Sequence, residues 1–432
     1  MKKVLIITYY WPPSGGAGVQ RWLKLSKFLR LHNCEPVIYT PENPEPPDFD
    51  ETLLNDIPEN LTVIKTPVWE PYHIYKKLTG KKKDARITHG FLKEEKSKGF
   101  LEKLSVWVRG NFFIPDARCF WVKPSIRFLS KYLQKKPVDL IISSGPPHSM
   151  HLIALGLKKK LNIPWLADFR DPWTEIDFYD KLRLTRLADR KHKILEKEVL
   201  SKADSVITVG RHLAGRLKFL GAPNVEIIPN GFDEDDFTFL PVAPDKYFTV
   251  THIGSINSDR NPETLWKAIS GLLENNHSIK EGFRLQFVGK TDYSVMESLK
   301  KYNLEAYAEF ISYLPHIEAL KIAASSSALL LLINQTPNRQ GIVTGKLFEY
   351  LATGRPVICI GPVDGEAALI LNETKRGRTF EYHDLESMTQ WLEVLYNDYI
   401  AEKLQTKPLA DVLKYSRQAQ AKQLAALIHS LV

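Results

Sequence analysis

Cysteine is scarce. Cys34, Cys119 and Cys359 are odd in number and far apart in a chain of 432 residues, so neither a disulfide framework nor a thiolate metal site is indicated. Long apolar runs are also missing, and none approaches the roughly 20 residues needed to cross a bilayer. The opening Met1-Lys2-Lys3 followed by Val4 to Trp11 imitates a leader peptide. Its apolar part is short, carries two tyrosines, lacks a small-residue cleavage site and runs into Pro12-Pro13, so it reads as a buried first strand. A dinucleotide fingerprint is absent too: after Gly15-Gly16-Ala17-Gly18, position 21 is Arg21 where GxGxxG needs a third glycine. These absences lead us to expect a cytoplasmic protein that crosses no membrane, binds no structural metal and does not use a nicotinamide cofactor.

What is present is an alternation of strands and helices. Apolar strands are expected at Val4–Thr8, Glu35–Tyr39, Leu61–Ile64, Val138–Ser143, Pro164–Asp168 and Ser205–Val209, with Val19–Leu31 at helical periodicity between the first two. A second series runs from Phe248–Gly254 through Phe283–Gly289, Ala306–Ile311, Ser327–Ile333 and Arg355–Ile360. Apolar strands separated by helices imply parallel sheets covered on both faces. The expected fold class is therefore α/β, with two Rossmann-like doubly wound domains facing across a cleft. The first is expected over 1–231, a linker over 232–247 and the second over 248–409. A final helix within 410–432 is expected to return to the first domain. The linker's Asp233-Glu234-Asp235-Asp236 reads as solvated charge, because consecutive carboxylates point in different directions.

The segment with the most chemistry is Gly345-Lys346-Leu347-Phe348-Glu349-Tyr350-Leu351-Ala352-Thr353-Gly354-Arg355-Pro356-Val357-Ile358. Leu347, Tyr350 and Leu351 recur at helical spacing, leaving Lys346 and Glu349 together on the other face. A helix N-terminus suits an anion such as phosphate. A carboxylate one turn further in can accept hydrogen bonds from a diol, as acidic residues do for ribose. Two further turns follow strands: Gly15-Gly16-Ala17-Gly18, and His252-Ile253-Gly254-Ser255 with Arg260 six residues beyond Gly254. An arginine there can make bidentate bonds to a pyrophosphate, and Gly289-Lys290 offers another cation.

Charge is unevenly placed. Between Lys76 and Lys103 ten basic residues face four acidic ones, giving +6 of the formal +9. Phe91, Phe100, Leu101, Leu104, Trp107, Phe112 and Phe113 interleave or follow. A basic aromatic insertion over about 74–121 fits either an anionic membrane surface or a solvated loop-helix segment with inward aromatics.

These residues together resemble the retaining GT-B glycosyltransferases, specifically glycosyltransferase family 4, over nearly the whole chain. The likeness rests on the opening glycine turn, Ile228-Pro229-Asn230-Gly231, the Gly254-to-Arg260 turn and the Lys346-to-Ile358 block. It implies transfer of a sugar from a nucleotide-sugar donor to a hydroxyl of a glycan or lipid-linked acceptor, with no bound cofactor and no metal. Arg260, Lys346 and His148 would be catalytic. Gly15, Gly16, Ser255, Lys290, Thr344, Gly345 and Glu349 would bind donor, Glu349 taking the ribose. Ser144, Asp168, Arg170, Asp171 and Trp173 would lie on the acceptor side, with Trp173 able to stack on a sugar ring; His151 reads as a core residue.

Two positions depart from the family pattern. Gly341 stands where the first of two acidic residues falls, and Ser255 where an arginine does; main-chain groups of Gly341 to Thr344 would have to replace the acid. The resemblance further implies a role in cell-surface polysaccharide synthesis, with peripheral attachment to the inner face of the cytoplasmic membrane. Two other readings fit the same residues: a degenerate, non-catalytic nucleotide-sugar binder, and a nucleotide-sugar epimerase of the same fold. Nucleic-acid binding is the least supported, because the paired phosphate-site turns are unexplained by it.

Overall fold

The structure, a computed structural model, describes residues 1–45, 49–70, 100–404 and 406–432. Most of the basic insertion, and with it the expectation placed on Lys76–Lys103, lies outside the described residues up to residue 99. The rest falls into two compact units, Met1–Pro229 with Gln418–Val432, and Asn230–Arg417.

The first unit holds a seven-stranded sheet of β1 (Lys2–Ile7), β2 (Cys34–Pro41), β3 (Thr62–Thr66), β4 (Leu140–Gly145), β5 (Trp165–Phe169), β6 (Ser205–Thr208) and β7 (Val225–Ile227). Its order is β3-β2-β1-β4-β5-β6-β7, and every pairing is parallel. Successive side chains of a strand point to opposite faces. Accordingly Leu5 and Ile7 join one apolar cluster while Val4 and Ile6 join another. All four are fully buried, which is why β1 has no polar alternation. The last helix, Arg417–Leu431, sets Ala421, Leu424, Ala425 and Ile428 on one face, packed with Val4 and Ile6.

The second unit repeats the plan with six strands: β8 (Phe248–Ile253), β9 (Phe283–Val288), β10 (Ala308–Ile311), β11 (Ala328–Leu332), β12 (Val357–Ile360) and β13 (Gly377–Phe380). The order is β10-β9-β8-β11-β12-β13, again parallel throughout. Along β11 and just beyond, Ala328, Leu330 and Leu332 serve one core and Leu329, Leu331 and Ile333 the other. The two doubly wound α/β sheets match the expected fold class.

Two local expectations are corrected. Strand β13 has no counterpart among the expected strands; three of its four residues are polar or glycine, and it pairs only along β12. The stretch Phe232 to Lys246 is more than a solvated linker. Asp233 is buried and its carboxylate caps a 3-10 turn, Glu234–Phe237, by accepting from the Asp235 N–H at 3.2 Å. Phe232 and Phe237 are core residues of the second unit.

Candidate functional site

In the second unit, β8 runs into Gly254, whose φ of +101° is one that side-chain-bearing residues rarely adopt. A Cβ there would also lie 2.6 Å from the Lys346 ammonium nitrogen. The missing side chain is therefore the space that the lysine occupies. Gly254→Ala is expected to cost about 1–2 kcal/mol through its backbone alone and to push Lys346 aside; thermal denaturation measures the first effect.

The turns after β8 and β9 are laced together. The Gly254 N–H donates to the Val288 carbonyl at 2.7 Å, and the Ile256 N–H donates to the Lys290 carbonyl at 2.9 Å. Ser255 and Lys290 are thereby held at one strand edge, and both are exposed. Beyond them the 3-10 turn Ser258–Arg260 ends in Arg260, whose Nε donates to the Oδ1 of Asn334, just after β11.

The helix Gly345–Thr353 begins at the same edge. Its phenolic Tyr350 accepts the Ile253 N–H at 2.9 Å, fixing the helix against the end of β8. Thr344 at its N-cap makes no capping bond, and its buried hydroxyl has no partner among the described residues. Helix N–H groups and a hydroxyl are thus left open beside Lys346. Withdrawal from water, and then the nearby Arg260 charge, lower the Lys346 ammonium to about 7, against the opposing pull of Glu349. His252, buried under the turn, donates from Nδ1 to the Leu330 carbonyl at 2.8 Å. Burial, and then Lys346, hold its imidazole neutral.

Glu349 follows Lys346 by one helical turn and is half-buried. His316, at the start of the helix His316–Ser325, donates from Nε2 to Glu349 Oε1 at 3.0 Å. Its Nδ1 stands 4.0 Å from the carboxylate of Asp236. Burial alone would raise the Glu349 carboxyl, but His316, then Arg417 and Lys346, hold it below its ordinary value. His316 was not singled out from the sequence, and Asp236, expected as solvated charge, faces this histidine instead. Beside Arg260 lies a pocket of about 360 Å³ lined by Pro262, Lys267, Tyr302, Gln335 and Tyr382. Gly341 closes the short 3-10 turn Arg339–Gly341, three residues before Thr344.

The first unit places its expected residues differently. Ser144 and Asp168 are register partners on β4 and β5, and both are buried. Asp168 accepts from Ser144 Oγ at 2.8 Å, Trp22 Nε1 at 2.9 Å, and Arg21 through Nε at 3.3 Å and a terminal nitrogen at 3.1 Å. With its oxygens occupied inside the fold, Asp168 is a structural anchor rather than an acceptor contact, and so is Ser144. Trp173 is only 2% exposed; its indole N–H donates to His192 at 3.0 Å and its ring stacks on His148 at 4.8 Å. It has no open face for a sugar.

His148 is buried as well, and burial, followed by the charges of His151 and Arg170, keeps it neutral. The expectation of an open catalytic histidine at this strand end gives way to a packed ring. His151 is a core residue, bonded through Nδ1 to Ser143 Oγ at 2.8 Å. Arg170 lies against Gly18, where a Cβ would meet it at 2.2 Å, and donates to the Pro146 carbonyl. Asp171 is exposed. Gly16, with φ +99°, precedes the helix Ala17–Leu29 and offers no side-chain cap, while Gly15 is buried. Among the described residues no group of three or more His, Cys, Asp and Glu is arranged to hold a metal ion, and no helix is long and apolar enough to cross a membrane.

Residues 87–236 match the family model described as Glycosyltransferase Family 4. No curated protein matches the sequence. Among solved structures, a glycosyltransferase from Rickettsia africae is similar with a TM-score of 0.64 at 14% identity, the alignment covering 100% of this chain and 98% of that one. Anabaena Alr3699/HepE in complex with UDP-glucose is similar with a TM-score of 0.62 at 11% identity, with both chains covered fully, 100% each. A putative UDP-N-acetylglucosamine 2-epimerase from Listeria monocytogenes gives 0.55 at 11% identity, covering 99% and 96%. The fold is GT-B, and the resemblance to glycosyltransferase family 4 stands on the matched segment together with that fold.

Proposed function

From a GT-B chain carrying a Glycosyltransferase Family 4 match, we propose an enzyme that transfers a sugar from a nucleotide-sugar donor to a hydroxyl acceptor with retained anomeric configuration. The observation that carries this reading is the seat of Lys346: an ammonium packed on Gly254, at a helix N-terminus, with Arg260 nearby and Glu349 one turn on. The donor diphosphate is proposed to sit against Lys346, Arg260, Lys290, the Thr344 hydroxyl and the N–H groups opening at Gly345. Ser255 lines the same edge, and its serine leaves Arg260 and Lys346 as the chief cations. Glu349, oriented by His316, would accept from the ribose diol. The pocket beside Arg260 would take the base.

As the glycosidic bond breaks, negative charge grows on the leaving diphosphate. Fixed cations and N–H groups there contribute about 3–4 kcal/mol per well-placed donor, so in this reading the site needs no metal. No protein nucleophile is needed if a donor phosphate oxygen takes the acceptor proton. The acceptor is proposed to be a glycan or a lipid-linked glycan of the cell surface. HepE was solved with UDP-glucose, which supports a nucleotide-sugar donor for this fold. The epimerase neighbour keeps the fold from deciding the reaction.

Thermal denaturation with a panel of nucleoside diphosphates and their sugars tests the donor site. A ligand at 100 times its dissociation constant adds about 2.7 kcal/mol, so one base family should raise the transition by several degrees. Product analysis without acceptor then separates transferase from epimerase, since only an epimerase changes the sugar. In Glu349→Ala, the buried diol loses a charged partner worth about 1.5–3 kcal/mol. Donor affinity should fall about 10- to 150-fold by calorimetry, and an unchanged affinity would remove the ribose assignment.

A further inference from the structure

Glu349 lies one helical turn from Lys346, yet among the described residues its ion pair is with His316, at 3.0 Å, and not with the lysine. An ionised carboxylate only accepts, so Nε2 of His316 carries the proton of that bond. The other ring nitrogen, Nδ1, faces the Asp236 carboxylate at 4.0 Å. One imidazole thus stands between two carboxylates. The side chains of Asp236, His316 and Glu349 are 12%, 19% and 25% exposed, largely withdrawn from water but open to a ligand. Asp236 is itself held in place. Its N–H donates to the Asp233 carbonyl at 3.2 Å, and its turn is pinned by the buried Asp233 and by Phe232 and Phe237 in the core. His316 is anchored by the helix it opens, whose Ala319, Leu320, Ala323 and Ala324 are buried.

Without His316, Glu349 would turn to the cations around it. Lys346 and Arg417, the first residue of the last helix, both attract its carboxylate. Pairing with Lys346 would tie up two groups that a nucleotide needs separately. By engaging Oε1, His316 leaves the lysine to a diphosphate and leaves Oε2, with the second lone pair of Oε1, to a ligand hydroxyl. We propose that His316, backed by Asp236, is a positioning residue that makes this site select ribose over deoxyribose. The proposal rests on Glu349 taking the ribose, and adds why a ligand lacking the hydroxyl would be rejected. A carboxylate held in one orientation cannot find another partner when the hydroxyl is missing, so the unpaired group weighs fully against the wrong ligand. A carboxylate that can swing to Lys346 or to water recovers most of that loss and discriminates less.

Calorimetry of the full chain against uridine, cytidine, adenosine and guanosine diphosphates, each beside its deoxyribose counterpart, tests the proposal. For the base that binds tightest, the wild type should prefer ribose about 10- to 150-fold, the range for one hydrogen bond to a charged group. In His316→Ala that ratio should collapse toward one. His316→Gln, whose amide can still donate to Glu349, should restore much of it, and Asp236→Ala should lower it. Melting temperatures taken alongside show that each variant is folded. A merely structural histidine would weaken both nucleotides equally and leave the ratio as it is in the wild type. Glu349→Ala separates this proposal from the reading beneath it. If Glu349→Ala and the wild type share one ratio, the ribose assignment fails and the proposal with it. If Glu349→Ala abolishes the preference while His316→Ala or Asp236→Ala keeps it in full, the ribose assignment stands and the positioning role is overturned.

Discussion

Lys346→Met should lower kcat/KM about 10²- to 10³-fold, the range for removing one preorganised donor from a developing oxyanion, while leaving the protein as stable or more so. The two halves follow from one fact. The ammonium sits where burial and Arg260 disfavour its charge, so methionine of similar volume removes a destabilising charge as well as a phosphate partner. The sign with pH is fixed by linkage. The folded-state value is depressed to about 7 from the ordinary 10.5 of a lysine, so between those limits the unfolded chain holds more protons. Wild-type stability from this group therefore rises with pH across that window, and the methionine variant should lack the rise. Donor binding should run the other way. A diphosphate attracts the proton back, so affinity should fall as pH climbs above about 7, with proton uptake visible in calorimetry across buffers of different ionisation heat. Arg260, Glu349 and His252, the charged and titrating groups that interact with Lys346, all remain in the variant. A flat wild-type affinity profile from neutral to alkaline pH would remove Lys346 from the phosphate site.

Lys346, Gly254 and Arg260 were legible in the sequence because the physics behind them is local. A glycine ending an apolar strand and a basic residue opening an amphipathic helix are readable within a few positions. Likewise β1 and β11 announce themselves, since a strand covered on both faces must be apolar at every residue. The rest of the site depends on partners brought together only by folding. His316 lies 33 residues from Glu349, and Asn334 lies 74 from Arg260. A histidine starting a helix, or an asparagine ending a strand, carries no mark of such a partner. Strand β13 was hidden for the opposite reason, as a polar edge has no apolar signature. The errors in the first unit share one origin. An aspartate or a tryptophan at the end of a parallel strand reads the same whether it faces a substrate or a buried arginine 147 positions away.

That distinction gives the second large effect. Asp168→Asn should destabilise the protein by about 3–5 kcal/mol, the cost of stripping one partner from a buried ion pair. Taken up by the first unit, about 240 residues, that is a fall of roughly 6–10 °C in its melting temperature. Arg21 and Asp168 are both fully buried, so the guanidinium would keep its charge with no counter-ion and no water. The amide nitrogen of asparagine also cannot accept from Trp22 or Ser144, which both donate to the same carboxylate oxygen. Arg21→Met in the Asp168→Asn background should recover part of the loss by removing the unpaired charge. Recovery stays incomplete because the Pro229 carbonyl loses its 3.0 Å donor. The double-mutant cycle reports the pair's coupling directly. An acceptor-binding aspartate would behave otherwise: its asparagine variant would melt with the wild type and lose only turnover. An unchanged melting temperature with lost activity would return Asp168 to the acceptor side, whereas a large fall, partly relieved by the second substitution, makes it the anchor that ties the helix Ala17–Leu29 to the sheet.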